Sequence, residues 1–201
     1  MRTLACVSII KASHLFQGVS MSRYIRSNRH GGTFFFTVVS YKRRKILCEE
    51  IIRSALHQAI VDVRKIHPFN INAWVLLPDH LHCILTLPPH DSSFGIRWSL
   101  IKRIVTQQCP LSLITDSTLN QSQRKRRESV VWQRRFWEHE IKNNDDYEKH
   151  FNYVHYNPVK HGLVDNLKDW PYSTFHRYVE EGVYECDWGT NDVIINGKFG
   201  E

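Results

Sequence analysis

The residues of this chain best suited to chemistry include two histidines in one apolar run. His80 and His82 lie in the segment PDHLHCIL, in which a Pro-Asp turn precedes a strand-like stretch. Side chains at i and i+2 share one face of a strand, so both imidazoles point one way while Leu81 and Cys83 point the other. Neutral imidazoles on a rigid strand are good ligands for a divalent metal ion. Two surface histidines on a sheet face are the alternative interpretation.

A second set of reactive side chains lies in the segment FNYVHYNPVKHG. Tyr153 and Asn157 are four residues apart, so on a helix they share a face one turn from each other. Tyr153 offers a nucleophilic oxygen and Asn157 a carbonyl ligand, and Tyr156 is the alternative nucleophile. The competing interpretation makes both tyrosines core contacts and Asn157 the residue that ends a helix before Pro158.

The charge distribution favours a polyanionic partner. The chain carries 27 Lys and Arg against 20 Asp and Glu, a net charge of +7. Residues 180–201 have a net charge of −5, so the preceding 179 residues carry +12. Two basic runs, at residues 23–45 and 124–135, together with 12% aromatic residues, are typical of proteins that bind nucleic acid. A solvated basic surface is the simpler explanation for either run alone.

Hydrophobic periodicity predicts the element order β-α-β-β-α-β followed by one more helix. This order is the ferredoxin-like signature within the α+β class, with an antiparallel sheet and its helices on one face. Residues 115–128 are polar and predict a loop. We expect strands at residues 33–40, 71–77, 80–87 and 130–136, helices at 46–65 and 95–107, and an additional helix at 145–157 stopped by Pro158.

Other classes of protein are disfavoured by composition. The five cysteines are widely spaced and contain no CxxC pair, which argues against a zinc ribbon or a disulfide framework. No apolar run approaches the roughly 20 residues that a membrane helix needs. We therefore expect a cytoplasmic protein without a membrane anchor. Residues 1–20 predict an N-terminal extension or an upstream-start artefact rather than a signal peptide.

Taken together, the motifs resemble those of the REP-associated tyrosine transposases, which are relatives of the HUH-class insertion-sequence transposases. PDHLHCIL, WQRRFWEHEI at residues 132–141, YVHYNPVKHGLV and WPYS at residues 170–173 occur here in the order found in that family. The similarity extends from about Tyr24 to about Tyr178. It divides the chain into the extension at 1–20, a catalytic domain at 21–179 and an acidic tail at 180–201.

The resemblance implies a mechanism for the two reactive segments. His80 and His82 match the histidines that hold Mg²⁺ or Mn²⁺, and Tyr153 matches the tyrosine that attacks single-stranded DNA. Asn157 stands where related transposases supply a third metal ligand, usually Gln. The implied product is a 5′-phosphotyrosine and a free 3′-hydroxyl. Because one ester replaces another, no nucleotide cofactor is needed.

The resemblance also implies a partner, single-stranded DNA folded into hairpins of the repetitive extragenic palindrome (REP) type. Either a monomer or a homodimer is compatible with the sequence. The main alternative is a non-catalytic module that binds single-stranded nucleic acid on the same fold. The basic residues expected to contact DNA are Arg23, Arg26, Arg29, Lys42, Arg43, Arg44, Arg134 and Arg135.

Overall fold

A four-stranded antiparallel sheet forms the centre of the protein. The computed structural model describes residues 31–110, 131–190 and 199. Aromatic and β-branched side chains, which favour extended backbone, fill the first strand. The strands are β1 (Thr33–Val39), β2 (Asn70–Leu76), β3 (His80–Thr86) and β4 (Trp137–Glu140). They lie in the order β2-β3-β1-β4, and every neighbouring pair is antiparallel.

Two helices, α1 (Glu50–Ile66) and α2 (Phe94–Gln108), cover one face of this sheet. Each carries apolar side chains at helical spacing, so one stripe is buried while the opposite side faces solvent. The buried stripes pack with Phe36, Leu81 and Cys83 of the sheet in one core. This arrangement confirms the predicted α+β, ferredoxin-like class, with these two helices on one face.

The opposite face of the sheet is covered by a third long helix, α3 (Asn144–Lys160). It packs in a second core with Phe35, Val75 and Ile84, which alternate along their strands with the side chains of the first core. A short helix, α4 (Phe175–Glu180), follows and was not predicted. The additional helix expected after the ferredoxin-like unit is α3.

The predicted position of the last strand, residues 130–136, is wrong. The structure places that strand at Trp137–Glu140, and Trp132 makes only a single bridge with Ser40. Val131 and Trp132 are adjacent in sequence and both buried in the core beneath α1 and α2. Consecutive side chains that enter one core break the alternation that a strand requires, although their composition favours a strand.

The expectation that Pro158 stops α3 is also wrong, because the helix continues to Lys160. A proline inside a helix removes the hydrogen bond to the carbonyl four residues earlier, here that of Val154. The helix instead ends where Gly162 adopts a positive φ of 62°. The Leu163 amide then bonds back to the Pro158 carbonyl at 2.9 Å, which caps the helix.

The chain beyond α4 packs back onto the α3 face. The rings of Tyr184 and Trp188 lie 5.3 and 6.3 Å from that of Phe175. Phe199 is buried in the same core. Residues from the predicted acidic tail therefore contribute to the core, and the boundary between domain and tail remains a prediction.

Some sequence-based expectations fall outside the described residues. They include the extension at 1–20 and the polar loop at 115–128. Among the helices that the structure describes, none combines the length and apolar character needed to cross a bilayer.

One ion pair with a buried guanidinium and a partly exposed carboxylate gives a test of the fold. Arg97 on α2 is fully buried, and its guanidinium donates to the Asp91 carboxylate and, at 2.8 Å, to the Pro68 carbonyl. The hydrogen bond from Arg97 lowers the pKa of Asp91 to about 2. Removing the partner of a buried charge leaves that charge uncompensated, so we expect Asp91→Asn to lower the free energy of unfolding by about 3 kcal/mol through the buried Arg97.

Urea unfolding of both proteins measures this loss. In the fold the carboxylate stays ionised at pH values below its ordinary pKa of about 3.9, so its contribution to stability is complete above about pH 5 and declines as pH falls towards 2. Asp62→Asn is the control, because Asp62 bonds to Gln58 and Lys65 on the exposed side of α1. An equal loss in both variants would show that the Asp91 pair is not a special stabiliser.

Candidate active site

The two histidines of β3 lie side by side on the face covered by α3. The ring centres of His80 and His82 are 4.8 Å apart, and both side chains are almost completely buried. Leu81 and Cys83 point into the opposite core, as the two-residue period of a strand requires. The sequence-based alternative of two surface histidines is wrong, because α3 covers this face of the sheet.

Hydrogen bonds fix which nitrogen of each ring carries the proton. His80 Nδ1 lies 2.6 Å from Asp79 Oδ1, and since a carboxylate only accepts, Nδ1 is the donor. Thr37 donates its hydroxyl proton to the Phe199 carbonyl, so it accepts from His82 Nδ1 at 2.9 Å. In their neutral, metal-binding forms both rings therefore carry the lone pair on Nε2. Paired imidazoles held through Nδ1 have the donor chemistry of a metal site.

Tyr153 on α3 faces these histidines. Its ring centre lies 5.2 Å from that of His82, and only 2% of the residue is exposed. The Lys160 Nζ donates to the Tyr153 hydroxyl at 3.0 Å and lies 4.8 Å from the ring. A cation beside a phenol oxygen favours its ionised, nucleophilic form.

The other two residues proposed from this segment occupy different surroundings. Asn157 is fully buried on α3, one turn beyond Tyr153. Tyr156 is half-buried, and its ring lies 6.4 Å from Trp188. The structure thus brings Tyr153 to the histidines, and it places Tyr156 against the segment that follows α4.

Two further histidines of this segment lie in different surroundings. His155 is fully buried, and its two nitrogens bond to Tyr184 Oη and Thr174 Oγ1. Burial lowers the pKa of His155 to about 3, so this side chain stays neutral and structural. His161 is exposed, with its ring centre 5.1 Å from that of His80.

An aromatic side chain from near the end of the chain covers the tyrosine. The Phe199 ring stacks on Tyr153 with centres 3.7 Å apart and planes inclined by 16°. Its carbonyl accepts from Thr37, the same hydroxyl that contacts His82. Phe199 therefore occupies the space directly above the Tyr153 ring.

Of the eight basic residues expected to contact DNA, five lie among the described residues. Lys42, Arg134 and Arg135 are exposed. Arg43 pairs with Asp79 at 3.2 Å, which links it to the carboxylate that holds His80. The remaining members are the half-buried Arg44 and, outside the described residues, Arg23, Arg26 and Arg29.

Electrostatics at Asp79 support its position beside His80. Burial raises the pKa of this carboxyl, yet hydrogen bonds and charge from His80 and Arg43 hold the pKa below its ordinary value. Asp79 is therefore an ionised partner that orients His80, as carboxylates do behind metal-ligating histidines.

Three residues of this site were missed from the sequence. Lys160 lies seven residues after Tyr153, a spacing that places both on one helix face after two turns. Asp79 directly precedes His80, so adjacency was an available signal. Thr37 reaches His82 only through the pairing of β1 with β3, which no local pattern reveals.

Comparison with known proteins agrees with this geometry. The family described as "Transposase IS200 like" matches residues 33–157, which include the whole sheet and α3 as far as Asn157. The fold and the site thus define an IS200-like transposase.

More specific matches follow. A REP-associated tyrosine transposase of Escherichia coli (strain K12) is 46% identical over 168 residues, 84% of this chain and 91% of that protein. A solved structure of a REP-associated tyrosine transposase bound to a REP hairpin is 42% identical, has a TM-score of 0.67 and covers 89% of this chain and 98% of its own. This chain belongs to the REP-associated tyrosine transposases, and it is an enzyme of the transposase type.

Proposed function

We propose that the protein cleaves and rejoins single-stranded DNA at palindromic, REP-type hairpins through a 5′-phosphotyrosine intermediate. The observation that carries this proposal is the contact of Tyr153 with His82, 5.2 Å between ring centres, at a buried histidine pair. The similar protein whose structure is solved is bound to a REP hairpin, which supports the same class of DNA here. The basic surface supplies contacts to the phosphate backbone.

The chemistry assigned to Tyr153 is a transesterification. The phenol oxygen bonds to the scissile phosphorus as the bond from phosphorus to the 3′ oxygen breaks. The tyrosine proton passes to solvent, and the departing 3′ oxygen takes up a proton from solvent to become a hydroxyl. Rejoining is the reverse, with a 3′-hydroxyl attacking the phosphotyrosine. Lys160 stabilises the negative charge on the attacking oxygen.

A divalent metal ion held by His80 and His82, with Asn157 as the third ligand, is part of this proposal. Such an ion supplies Lewis-acid stabilisation of the charge on the phosphate. Two imidazoles and one carbonyl suit Mn²⁺ better than Mg²⁺, which prefers an all-oxygen set. Asp79 and Thr37 keep the ligating nitrogen of each histidine as Nε2.

One polypeptide provides both the histidines and the tyrosine. Because His82 and Tyr153 are in ring contact within a single chain, a monomer is sufficient for the reaction we propose. A homodimer is required only if α3 is exchanged between subunits.

The test is cleavage of hairpin oligonucleotides derived from palindromes beside the gene. The purified protein is incubated with Mn²⁺ or with EDTA, and products and denaturation-resistant protein–DNA adducts are resolved on gels. We expect adduct and cleavage with the single-stranded hairpin and Mn²⁺, and neither with EDTA or a fully paired duplex. Binding of the hairpin without cleavage or adduct would instead indicate a non-catalytic nucleic-acid-binding module.

Lys160→Met is expected to slow single-turnover cleavage about 100-fold, because it removes the ammonium that stabilises the tyrosine oxygen. Methionine keeps a similar length and apolar stem. Hairpin affinity should be unchanged. The cleavage rate of the variant should recover towards alkaline pH, where hydroxide removes the proton from the Tyr153 hydroxyl. Lys160→Arg, which keeps the charge, should retain most activity. Equal losses in both variants at every pH would refute the charge role.

Phe199→Ala is expected to speed cleavage about fivefold, because the stack that covers Tyr153 is worth roughly 1 kcal/mol. Initial rates at saturating hairpin concentration measure the change. Phe199→Tyr keeps the aromatic ring and is the matched control, with a rate close to wild type. A slower Phe199→Ala enzyme would mean that the ring supports the site rather than covering it.

A further inference from the structure

A second group of possible metal ligands joins β4 to the beginning of α3. It consists of His139 on β4 with Asp146 and His150 on α3. One ligand atom from each side chain lies within 4.8 Å of the other two. In the part of the chain that the structure describes, no other set of three His, Cys, Asp or Glu side chains comes this close.

The carboxylate of Asp146 is the centre of this group. Its Oδ1 lies 3.1 Å from His139 Nε2 and 3.1 Å from His150 Nδ1. Its Oδ2 accepts from the backbone amide of Lys142 at 3.0 Å. Ligand atoms about 2.1 Å from a metal ion are themselves roughly 3 to 3.5 Å apart. The spacing around Oδ1 already matches that requirement.

Each of the three side chains is held in place by its surroundings. The two imidazoles stack at 4.5 Å with planes inclined by 13°, and Trp137 stacks on His139 from within β4. Asn143 caps α3 by accepting from the Asp146 amide at 2.8 Å. His150 is buried against Phe35, whereas His139 and Asp146 are partly exposed and give an ion access from solvent.

The protonation states also suit a metal ion. Burial lowers the pKa of His150, so its ring is neutral near pH 7. Burial raises the pKa of Asp146, but the hydrogen bonds from the Lys142 amide and from His139 outweigh this and hold the pKa below its ordinary value. A neutral imidazole and an ionised carboxylate are the forms that bind metals.

We propose that His139, Asp146 and His150 form a binding site for a transition metal ion of the Zn²⁺ or Co²⁺ type. Two imidazoles and a carboxylate with a solvent-accessible fourth position form a donor set that such ions accept. The bound ion joins β4 to the first turns of α3, and His150 lies one turn before Tyr153. The site therefore fixes the helix that carries the nucleophile against the sheet.

This site is distinct from the histidine pair of β3. The Phe35 ring lies between them, 4.8 Å from His150 and 5.4 Å from His82 between ring centres. Ion binding also has a cost, because His150 Nδ1 lies 2.8 Å from the Asp146 carbonyl. The ring gives up that hydrogen bond and moves its proton to Nε2 when Nδ1 binds the ion.

Cobalt titration of the metal-stripped, full-length protein tests the proposal. Visible absorption reports Co²⁺ bound to imidazole and carboxylate, and equilibrium dialysis gives the number of ions per chain. We expect Asp146→Asn to bind one Co²⁺ fewer than its parent, both in wild type and in a His80→Gln/His82→Gln background. Asp145→Asn, an exposed neighbour on the same turn, should bind as many ions as its parent.

Two results would overturn the proposal. One is a His80→Gln/His82→Gln protein that is folded by circular dichroism but binds no Co²⁺, because this variant leaves His139, Asp146 and His150 unchanged. The other is an unchanged stoichiometry in Asp146→Asn. In the same double-variant background, Zn²⁺ at about 100 times its dissociation constant should raise the melting temperature by roughly 5 °C. An added Asp146→Asn change should abolish that shift.

Discussion

Tyr153→Phe is expected to abolish cleavage and adduct formation, with a loss of more than about 1,000-fold in the single-turnover rate. The substitution removes one oxygen and keeps the ring that packs against His82 and Phe35. Hairpin affinity and thermal stability should therefore stay close to wild type. Gel-shift titration and quenched-flow cleavage on the same preparations measure the two quantities separately.

Tyr156→Phe is the matched control for this change. Both tyrosines lie on α3, but the Tyr156 ring lies near Trp188 rather than the histidines. We expect its cleavage rate to remain within about twofold of wild type. If Tyr156→Phe abolished the adduct and Tyr153→Phe retained it, the nucleophile would be Tyr156 and not Tyr153.

His82→Gln is expected to lower the metal-dependent cleavage rate by about 1,000-fold, because it removes one of two imidazole ligands from the proposed ion. Glutamine keeps a polar side chain of similar reach, which limits the cost to the fold. Raising the Mn²⁺ concentration should restore part of the rate, since the defect is in ion binding. Cleavage by the variant at wild-type rates in low Mn²⁺ would contradict the ligand role.

Asp79→Asn provides a graded comparison with His82→Gln. The amide still contacts His80 but no longer enforces the proton on Nδ1. Substituting a residue that hydrogen-bonds to a metal ligand typically lowers metal affinity or activity by 10- to 100-fold. We therefore expect a loss of about tenfold, with a higher Mn²⁺ requirement. If Asp79→Asn lowered the cleavage rate as much as His82→Gln, Asp79 would act directly in metal binding and not only by orienting His80.

Much of the site could be predicted because its spacing is local. The two-residue period of β3 put His80 and His82 on one face, and one helical turn separates Tyr153 from Asn157. The strand and helix order was enough to define the fold class. Tertiary packing, through side chains such as Phe35, determines which face of the sheet α3 covers.

Other features depend on contacts between distant segments. The last strand was misplaced because Val131 and Trp132 have strand-forming composition but enter the helix-side core. Phe199 reaches Thr37 across 162 residues of sequence. His139 meets Asp146 and His150 only because β4 pairs with β1 next to the start of α3. The local periodicity of the sequence contains no information on these tertiary contacts.

Tyr153 is proposed to form a covalent bond to DNA, and peptide mapping of the trapped adduct tests that claim. A hairpin oligonucleotide is reacted with the wild-type protein and Mn²⁺, digested with nuclease and protease, and analysed by tandem mass spectrometry. We predict a nucleotide joined through its 5′ phosphate to Tyr153, with a 3′-hydroxyl on the released strand. Cleaved DNA with a free 5′ phosphate and no modified peptide would contradict the claim and indicate water as the nucleophile.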